Sequence, residues 1–482
     1  MELNRSSGPF IESPLSTAKM MRNLIIALIP IIIFAFIKNG VVPYQKGYVD
    51  LFGLLFPLIC VFSASFTSFF GEFIYQILFM KRRNPDEILF DIKHNYAFIP
   101  GLFIGLILPY NTPLYIFVIG ALLAVIVGKL LFGGFGNNIF NPALIGVLFI
   151  TIMFGSTITS NGGAKNPYEI DTIGSATPLT NMNIVGNYAD YEDLIEPYGS
   201  FGDFFVGTIP GSPAETSSIL CIFAFIFLAI TKTIKWKIPV FYIGTVFILT
   251  SILGLTNGAS AWYGLFHIVS GGLLFGAIFM ATDPVTSPTT NVGHVIYGIA
   301  LGILTVLFRF ISPYPEGVML SILMMNMFVF LIDRMGHSFI KNKKIIILPI
   351  ILLAIIATIP FFYKQNDKGV KIISKEVNGT LVEYIASSNG YDGLIEIKII
   401  IDDGVVESIE ILKIKDTYYS TIKKDQYLAR LLNSQENIDK VDTVSGATVT
   451  SSAIKSIVAY VIDDYNNSNI GSRVGQKKHY TL

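Results

Sequence analysis

Asn23-Leu24-Ile25-Ile26-Ala27-Leu28-Ile29-Pro30-Ile31-Ile32-Ile33-Phe34-Ala35-Phe36-Ile37 is the run whose reading decides the fold. It carries no charge, and with its flanks it reaches the roughly 20 mostly apolar residues that a membrane-crossing helix needs. Comparable segments recur near 51–79, 95–110, 112–132, 140–155, 217–232, 237–255, 260–281, 292–311, 316–335 and 344–363, about eleven in all. The first run begins near Met21, behind a polar stretch with Pro9 and Pro14, and more spans follow it, so it reads as a signal anchor.

Composition agrees. Of 482 residues, 52% are hydrophobic and 14% charged, where soluble domains carry about 25% charged residues. Mean hydropathy is +0.60. A formal net charge of +0 argues against nucleic acid as a partner. Cys60 and Cys221 lie in apolar runs and form no disulfide or iron–sulfur pattern. They read as small buried hydrophobes, with a cluster shared with another subunit as the remote alternative.

Charge placement sets the expected orientation. With the N-terminus inside, the inner loops hold Lys81, Arg82 and Arg83, then Lys232, Lys235 and Lys237, then Lys341, Lys343 and Lys344. The outer loops 111–113, 256–259 and 312–315 hold no Lys or Arg; Lys38 and Lys46 are the exception. This puts the N-terminus in the cytoplasm, and the loop 156–216 and everything beyond Tyr363 outside. The expected division is a cytoplasmic segment 1–20, a membrane domain 21–343, an anchor helix 344–363, an extracytoplasmic domain 364–466 and a loose tail 467–482. In 364–466, alternation from Gly393 to Gly404 and over 405–413 predicts two strands, and 426–432 and 450–464 predict helices, giving a small α+β fold.

Two heptads match each other. Asp171-Thr172-Ile173-Gly174-Ser175-Ala176-Thr177 lies in the outer loop, and Asp442-Thr443-Val444-Ser445-Gly446-Ala447-Thr448 in the tail. Each is followed by another threonine, Thr180 or Thr450. Gly and Ser let the backbone approach a bulky group, the last Thr presents a hydroxyl, and Asp171 or Asp442 suits a metal held by a modifying enzyme. Thr448 stands just before a predicted helix, where backbone N–H groups suit a phosphate. The plain alternative for either copy is a helix cap or a Ser/Thr turn; recurrence in register favours a shared chemistry.

The tail heptad resembles the flavinylation sequence of FMN-binding domains such as those of the Rnf G and Nqr C subunits. Gly390-Tyr391-Asp392-Gly393 and Asp402-Asp403-Gly404 resemble the opening of that domain. The resemblance implies that an FMN transferase esterifies Thr448 with FMN, alongside Ser445, Gly446 and Ala447. Lys415-Asp416-Thr417-Tyr418-Tyr419 departs from the usual Glu-Thr-Pro-Gly-like loop of the family. The region from Ser7 to about Arg334 resembles the Rnf D and Nqr B subunits. The resemblance rests on Gly133-Gly134-Phe135-Gly136-Asn137-Asn138-Ile139-Phe140-Asn141-Pro142-Ala143, Ser175-Ala176-Thr177-Pro178-Leu179 and Met280-Ala281-Thr282-Asp283-Pro284-Val285-Thr286-Ser287-Pro288-Thr289. It implies a second covalent FMN on Thr177, a prokaryotic cell membrane and partner subunits of an Rnf/Nqr-like complex. The order suggests a D-like subunit fused to a G-like flavin domain.

The turns at 133–143 and 281–290 interrupt apolar runs on the inner side. Irregular backbone at that depth is tolerated where it lines a cavity. One reading is a further site for a non-covalent flavin such as riboflavin, a quinone or an ion, drawing on Gly133, Gly134, Asn141, Asp283 and Glu72; the other is helix capping and tight packing. Glu72, inside a span, is either functional or close to the inner surface. Arg309 is expected to snorkel from a span end, and His267 reads as a packed histidine before a proton relay. No His pair has metal-ligand spacing.

Three functions fit these features. The leading one is a redox-driven translocase component that passes electrons across the membrane between flavins, coupled to Na+ or H+. The second is a flavin conduit to outer acceptors without pumping. The third is a transporter without redox chemistry. There is no nucleotide-binding Gly-rich fingerprint, so NADH oxidation falls to other subunits.

Overall fold

The computed structural model describes residues 16–341 apart from 82–83, 161–176, 186, 215–216, 261 and 312–316. It also describes residues 370–470 apart from 379–380, 390–393, 403, 415–418, 434–437, 439–440, 442–443 and 445–446. The predicted anchor helix 344–363, Asp171, Ser175, Ala176, Asp442, Ser445, Gly446 and most of the departure at 415–419 lie outside the described residues.

Every apolar segment predicted between 22 and 335 contains helix. The main helices are α1 (Thr17–Phe36), α2 (Leu51–Leu78), α3 (Pro85–Asn95), α4 (Ile99–Ile107), α5 (Leu114–Ile126), α6 (Pro142–Ser160), α7 (Pro178–Val185), α8 (Ser218–Ile230), α9 (Lys237–Thr256), α10 (Trp262–Val269), α11 (Leu273–Met280), α12 (Asn291–Ile311) and α13 (Val318–Lys341). The chain is a multi-pass membrane protein. Among the described residues, six helices are long and apolar enough to cross, or seven if α10 and α11, bent by 66° at their break, form one span. Ten of the about eleven expected segments fall among the described residues, and helix length there supports six or seven crossings. The nine residues of α4 reach only about 13 Å at 1.5 Å each, and α8 has 13 residues.

The short helices are held by close packing. A Cβ on Gly101 of α4 would stand 2.1 Å from the Ala64 carbonyl oxygen of α2, and one on Gly105 2.7 Å from Val61 Cα. This small-xxx-small pair lets the two backbones touch. On α12, Gly298 and Gly302 do the same against α9, where added Cβ atoms would meet Ile238 O at 2.9 Å and Thr245 Cβ at 2.6 Å. The outward face of α2 exposes Phe52, Phe62, Phe66, Phe70 and Phe79, an apolar surface suited to lipid.

In the tail, β1 (Lys371–Asn378), β2 (Leu381–Asn389), β3 (Leu394–Asp402) and β4 (Val405–Ile414) form an antiparallel sheet in chain order. Ile395, Ile397, Ile399 and Ile401 alternate inward from β3. They pack on Ile454, Ile457, Val458 and Val461 of the long final helix, α16, and on Leu431 of α15 (Tyr427–Asn433), which follows α14 (Tyr419–Lys424). α16 spans Thr448–Ile470. The predicted strands match β3 and β4, and the predicted helices match α15 and α16; β1 and β2 went unpredicted.

Candidate functional site

The tail heptad is anchored at its buried residues. Val441, Val444 and Ala447 are buried in the domain core. Val444 N donates to Ser451 Oγ (3.0 Å), Ser451 Oγ donates to Ala447 O (2.9 Å), and Lys455 Nζ donates to Val441 O (3.1 Å). Thr448 is thereby fixed as the first residue of the 23-residue α16. Its backbone position suits a phosphoester, because a helix N-terminus carries partial positive charge. Ser451 and Lys455 were not foreseen; their spacing of three and seven residues after Thr448 on a predicted helix was the available signal.

Thr177 occupies the same kind of position. It precedes α7, and Asn181 N donates to Thr177 O (2.8 Å). Its Oγ1 lies 2.9 Å from Thr180 Oγ1 and accepts from Thr180 N at 3.4 Å. The capping geometry is thus present, and it places the hydroxyl at a helix N-terminus. Leu179 and Met182 of α7 are fully buried in the membrane core, and the Tyr263 hydroxyl of α10 donates to Asn187 O.

The turns at 133–143 and 281–290, remote from each other in sequence, face one cavity. Its enclosed space is small, about 70 Å³, well below the roughly 300–1,000 Å³ of drug-sized ligand sites. Phe135, Asn138, Asn141 and Pro142 line one side, Thr282, Asp283, Pro284 and Val285 another, and Met20, Met21 and Leu24 of α1 a third. Gly133 and Gly134 do not line it. Their φ values of 101° and 93° close the turn that delivers Phe135, a conformation that favours glycine.

Asn326 of α13 joins the turns. Its Oδ1 accepts from Asn141 N (3.2 Å), and its Nδ2 donates to Thr286 O (3.0 Å) and to the Tyr297 hydroxyl (3.1 Å). Asn141 Oδ1 in turn accepts from Ala143 N (3.1 Å) at the start of α6. Thr286 Oγ1 donates to Asp283 Oδ2 (2.9 Å), and Asp333 accepts from Thr289 N (2.9 Å) and Thr290 N (3.1 Å).

Glu72 is fully buried inside the protein. Lys129 Nζ donates to Glu72 Oε2 (2.7 Å) and to Asn95 O (2.7 Å), and Asn95 Nδ2 donates to Glu72 Oε1 (2.8 Å). Glu72 itself stands behind the cavity wall that Lys129 and Asn95 form. Neither Lys129 nor Asn326 was singled out in the sequence. The snorkelling expected of Arg309 is overturned. The side chain is fully buried and donates to His267 O (2.5 Å) and Ser270 O (3.2 Å), because the break after α10 leaves open carbonyls within its reach. His267 is likewise fully buried, against Tyr263 and Phe310.

Comparison with known proteins separates the same two units. The NQR2, RnfD, RnfE family matches residues 4–341, and the FMN-binding domain matches residues 390–463. The D subunit of the proton-translocating ferredoxin:NAD(+) oxidoreductase complex of Clostridium ljungdahlii is 36% identical over 333 residues, covering 68% of this chain and 93% of that protein. The D subunit of the Na(+)-translocating ferredoxin:NAD(+) oxidoreductase complex of Acetobacterium woodii is 33% identical over 337 residues, covering 69% and 93%. The B subunit of the Na(+)-translocating NADH-quinone reductase of Chromohalobacter salexigens is 35% identical over 269 residues, covering 53% and 62%. With its membrane helices and cavity in the first matched region and its sheet and final helix in the second, the chain belongs to the NQR2, RnfD, RnfE family and carries an FMN-binding domain at its C-terminal end.

Proposed function

We propose that this chain is an electron-transfer subunit of an Rnf/Nqr-type ion-translocating oxidoreductase complex, with FMN esterified to both Thr177 and Thr448. The observation that carries the reading is that each threonine closing a matched heptad stands at a helix N-terminus, in a chain combining the family's membrane unit with an FMN-binding domain. FMN supplies the redox chemistry when bound. The chain's residues do the rest. α16 and α7 present their N-terminal ends to phosphate, Ser451 and Lys455 brace the tail loop, and the buried face of α7 fixes the outer one.

In this reading both threonines face the extracytoplasmic side of a prokaryotic cell membrane, within reach of one FMN transferase, and the N-terminus is cytoplasmic. The cavity between the two turns is the place for an ion as it stands, and for a non-covalent flavin such as riboflavin, or a quinone, once its walls move apart. Asn141 and Asp283 supply its polar wall, and the Glu72–Lys129 pair provides buried charge near it for coupling to Na+ or H+. Other subunits supply the donor and acceptor sites.

The test is direct. The protein is co-expressed with an FMN transferase, denatured in SDS and run on a gel. The intact band should fluoresce, Thr177→Val and Thr448→Val should each lose part of the signal, and the double variant all of it. A dark band for the intact protein overturns the covalent-flavin reading.

A further inference from the structure

Arg309 is the bulkiest fully buried side chain among the described residues. A guanidinium keeps its charge at any relevant pH, so its compensation must be structural. Its reach across to the other helix pair supplies that. NH1 donates to His267 O and NH2 to Ser270 O, at 2.5 and 3.2 Å. These carbonyls end α10, where the chain breaks through Ser270, Gly271 and Gly272 before α11. The last carbonyls of a helix lack partners within it and carry partial negative charge. A side chain from α12 therefore caps the break. His267 Nδ1 also faces NH1, at 3.4 Å; because guanidinium only donates, that nitrogen is the acceptor and the ring proton sits on Nε2.

From the capped helix, contacts run to the outer loop. The His267 ring meets Tyr263 edge-on, with centroids 4.7 Å apart. The Tyr263 hydroxyl donates to Asn187 O and touches Met182 Sδ at 3.8 Å. Tyr188, next to Asn187, lies against both Tyr263 and Phe310, at 6.0 and 5.8 Å between centroids. Met182 sits on α7, five residues after Thr177, about 7.5 Å along the axis at 1.5 Å per residue.

We propose that Arg309 is a positioning residue for the flavin on Thr177: by capping α10 at its break it holds Tyr263 in register, and Tyr263 holds the helix that carries the attachment threonine. The proposal rests on the covalent-flavin reading at Thr177.

The experiment uses full-length protein, co-expressed with an FMN transferase, in a Thr448→Val background, so that the flavin on Thr177 is the one observed. Iodide quenching and anisotropy of flavin fluorescence report how firmly that flavin is held. Arg309→Met should raise the quenching constant several-fold and lower the anisotropy. Tyr263→Phe, which removes only the hydroxyl linking α10 to Asn187, should move both in the same direction by less, and Arg309→Lys should restore part of the loss. If Arg309→Met does not accumulate, Tyr263→Phe decides by the same readouts. Unchanged quenching in Tyr263→Phe overturns the proposal, whatever Arg309→Met does. A Thr448→Val protein whose denatured band is dark ends the flavin reading at Thr177 and the proposal together; a fluorescent band with unchanged quenching ends the proposal alone.

Discussion

At the scale of single residues, the membrane unit holds charge in its interior. Removing one member of a buried ion pair strands the other, which costs about 3–5 kcal/mol. Lys129→Met should therefore lower the thermal midpoint of the detergent-solubilised protein more than the double change Lys129→Met, Glu72→Gln, which leaves no carboxylate unpaired; equal losses would argue that the 2.7 Å pair contributes little. In the tail, Ser451→Ala leaves the Val444 N–H without its hydroxyl partner. A buried donor left unsatisfied costs about 1–3 kcal/mol, so the tail should unfold at lower denaturant and flavin yield at Thr448 should fall, both readable on one preparation. Asp203 gives a pH signature. The Ser200 backbone N–H, the Ser200 hydroxyl and the Thr208 hydroxyl hold its carboxyl below the usual carboxylate range. A depressed folded value means stability present above the unfolded value of about 3.9 and lost as pH falls through the lower folded value. Protection of the 200–208 segment from an acid-stable protease should decline below about pH 4, and Asp203→Asn should flatten that decline.

At the scale of elements, helix length and helix contact decide what hydropathy alone leaves open. Apolar runs were readable because the bilayer requirement is local and contiguous. The break between α10 and α11 was not, since Ser270-Gly271-Gly272 sits inside an unbroken apolar stretch and only the φ of +68° at Gly271 reveals the turn. The brevity of α4 was hidden in the same way. β1 escaped because the adjacent Lys375 and Glu376 break its alternation, and β2 because apolar Leu381 and Ile385 on its outer side blur the inward set Val382, Tyr384 and Ala386; cross-strand pairing, including the Lys398–Glu383 ion pair at 2.6 Å, supplies what their own pattern lacks. α4 also yields a prediction. Gly101→Ala would place a methyl 2.1 Å from the Ala64 carbonyl oxygen, so α4 must move off α2. Overpacking of this kind costs about 1–3 kcal/mol, and the thermal midpoint should drop, whereas Gly155→Ala, with open space around the added carbon, should leave it unchanged.

At the scale of the whole molecule, the reading depends on partners that sequence distance conceals. Glu72 and Lys129 are 57 residues apart, and Asn326 meets Asn141 across 185. The motifs flanking the cavity could be read as important, but not as one wall, until the fold placed them together. The heptads were legible because they repeat; the bonds to Val441, Val444 and Ala447 were not, because Ser451 and Lys455 act through main-chain atoms that any sequence would provide. What unites the chain is the claim that one polypeptide holds two covalent flavins. Intact-mass measurement of the protein co-expressed with an FMN transferase tests it most directly. The account predicts a gain of two FMN groups less two waters, reduced to one in Thr177→Val and in Thr448→Val and to none in the double variant. A wild-type mass equal to that of the bare polypeptide would contradict it.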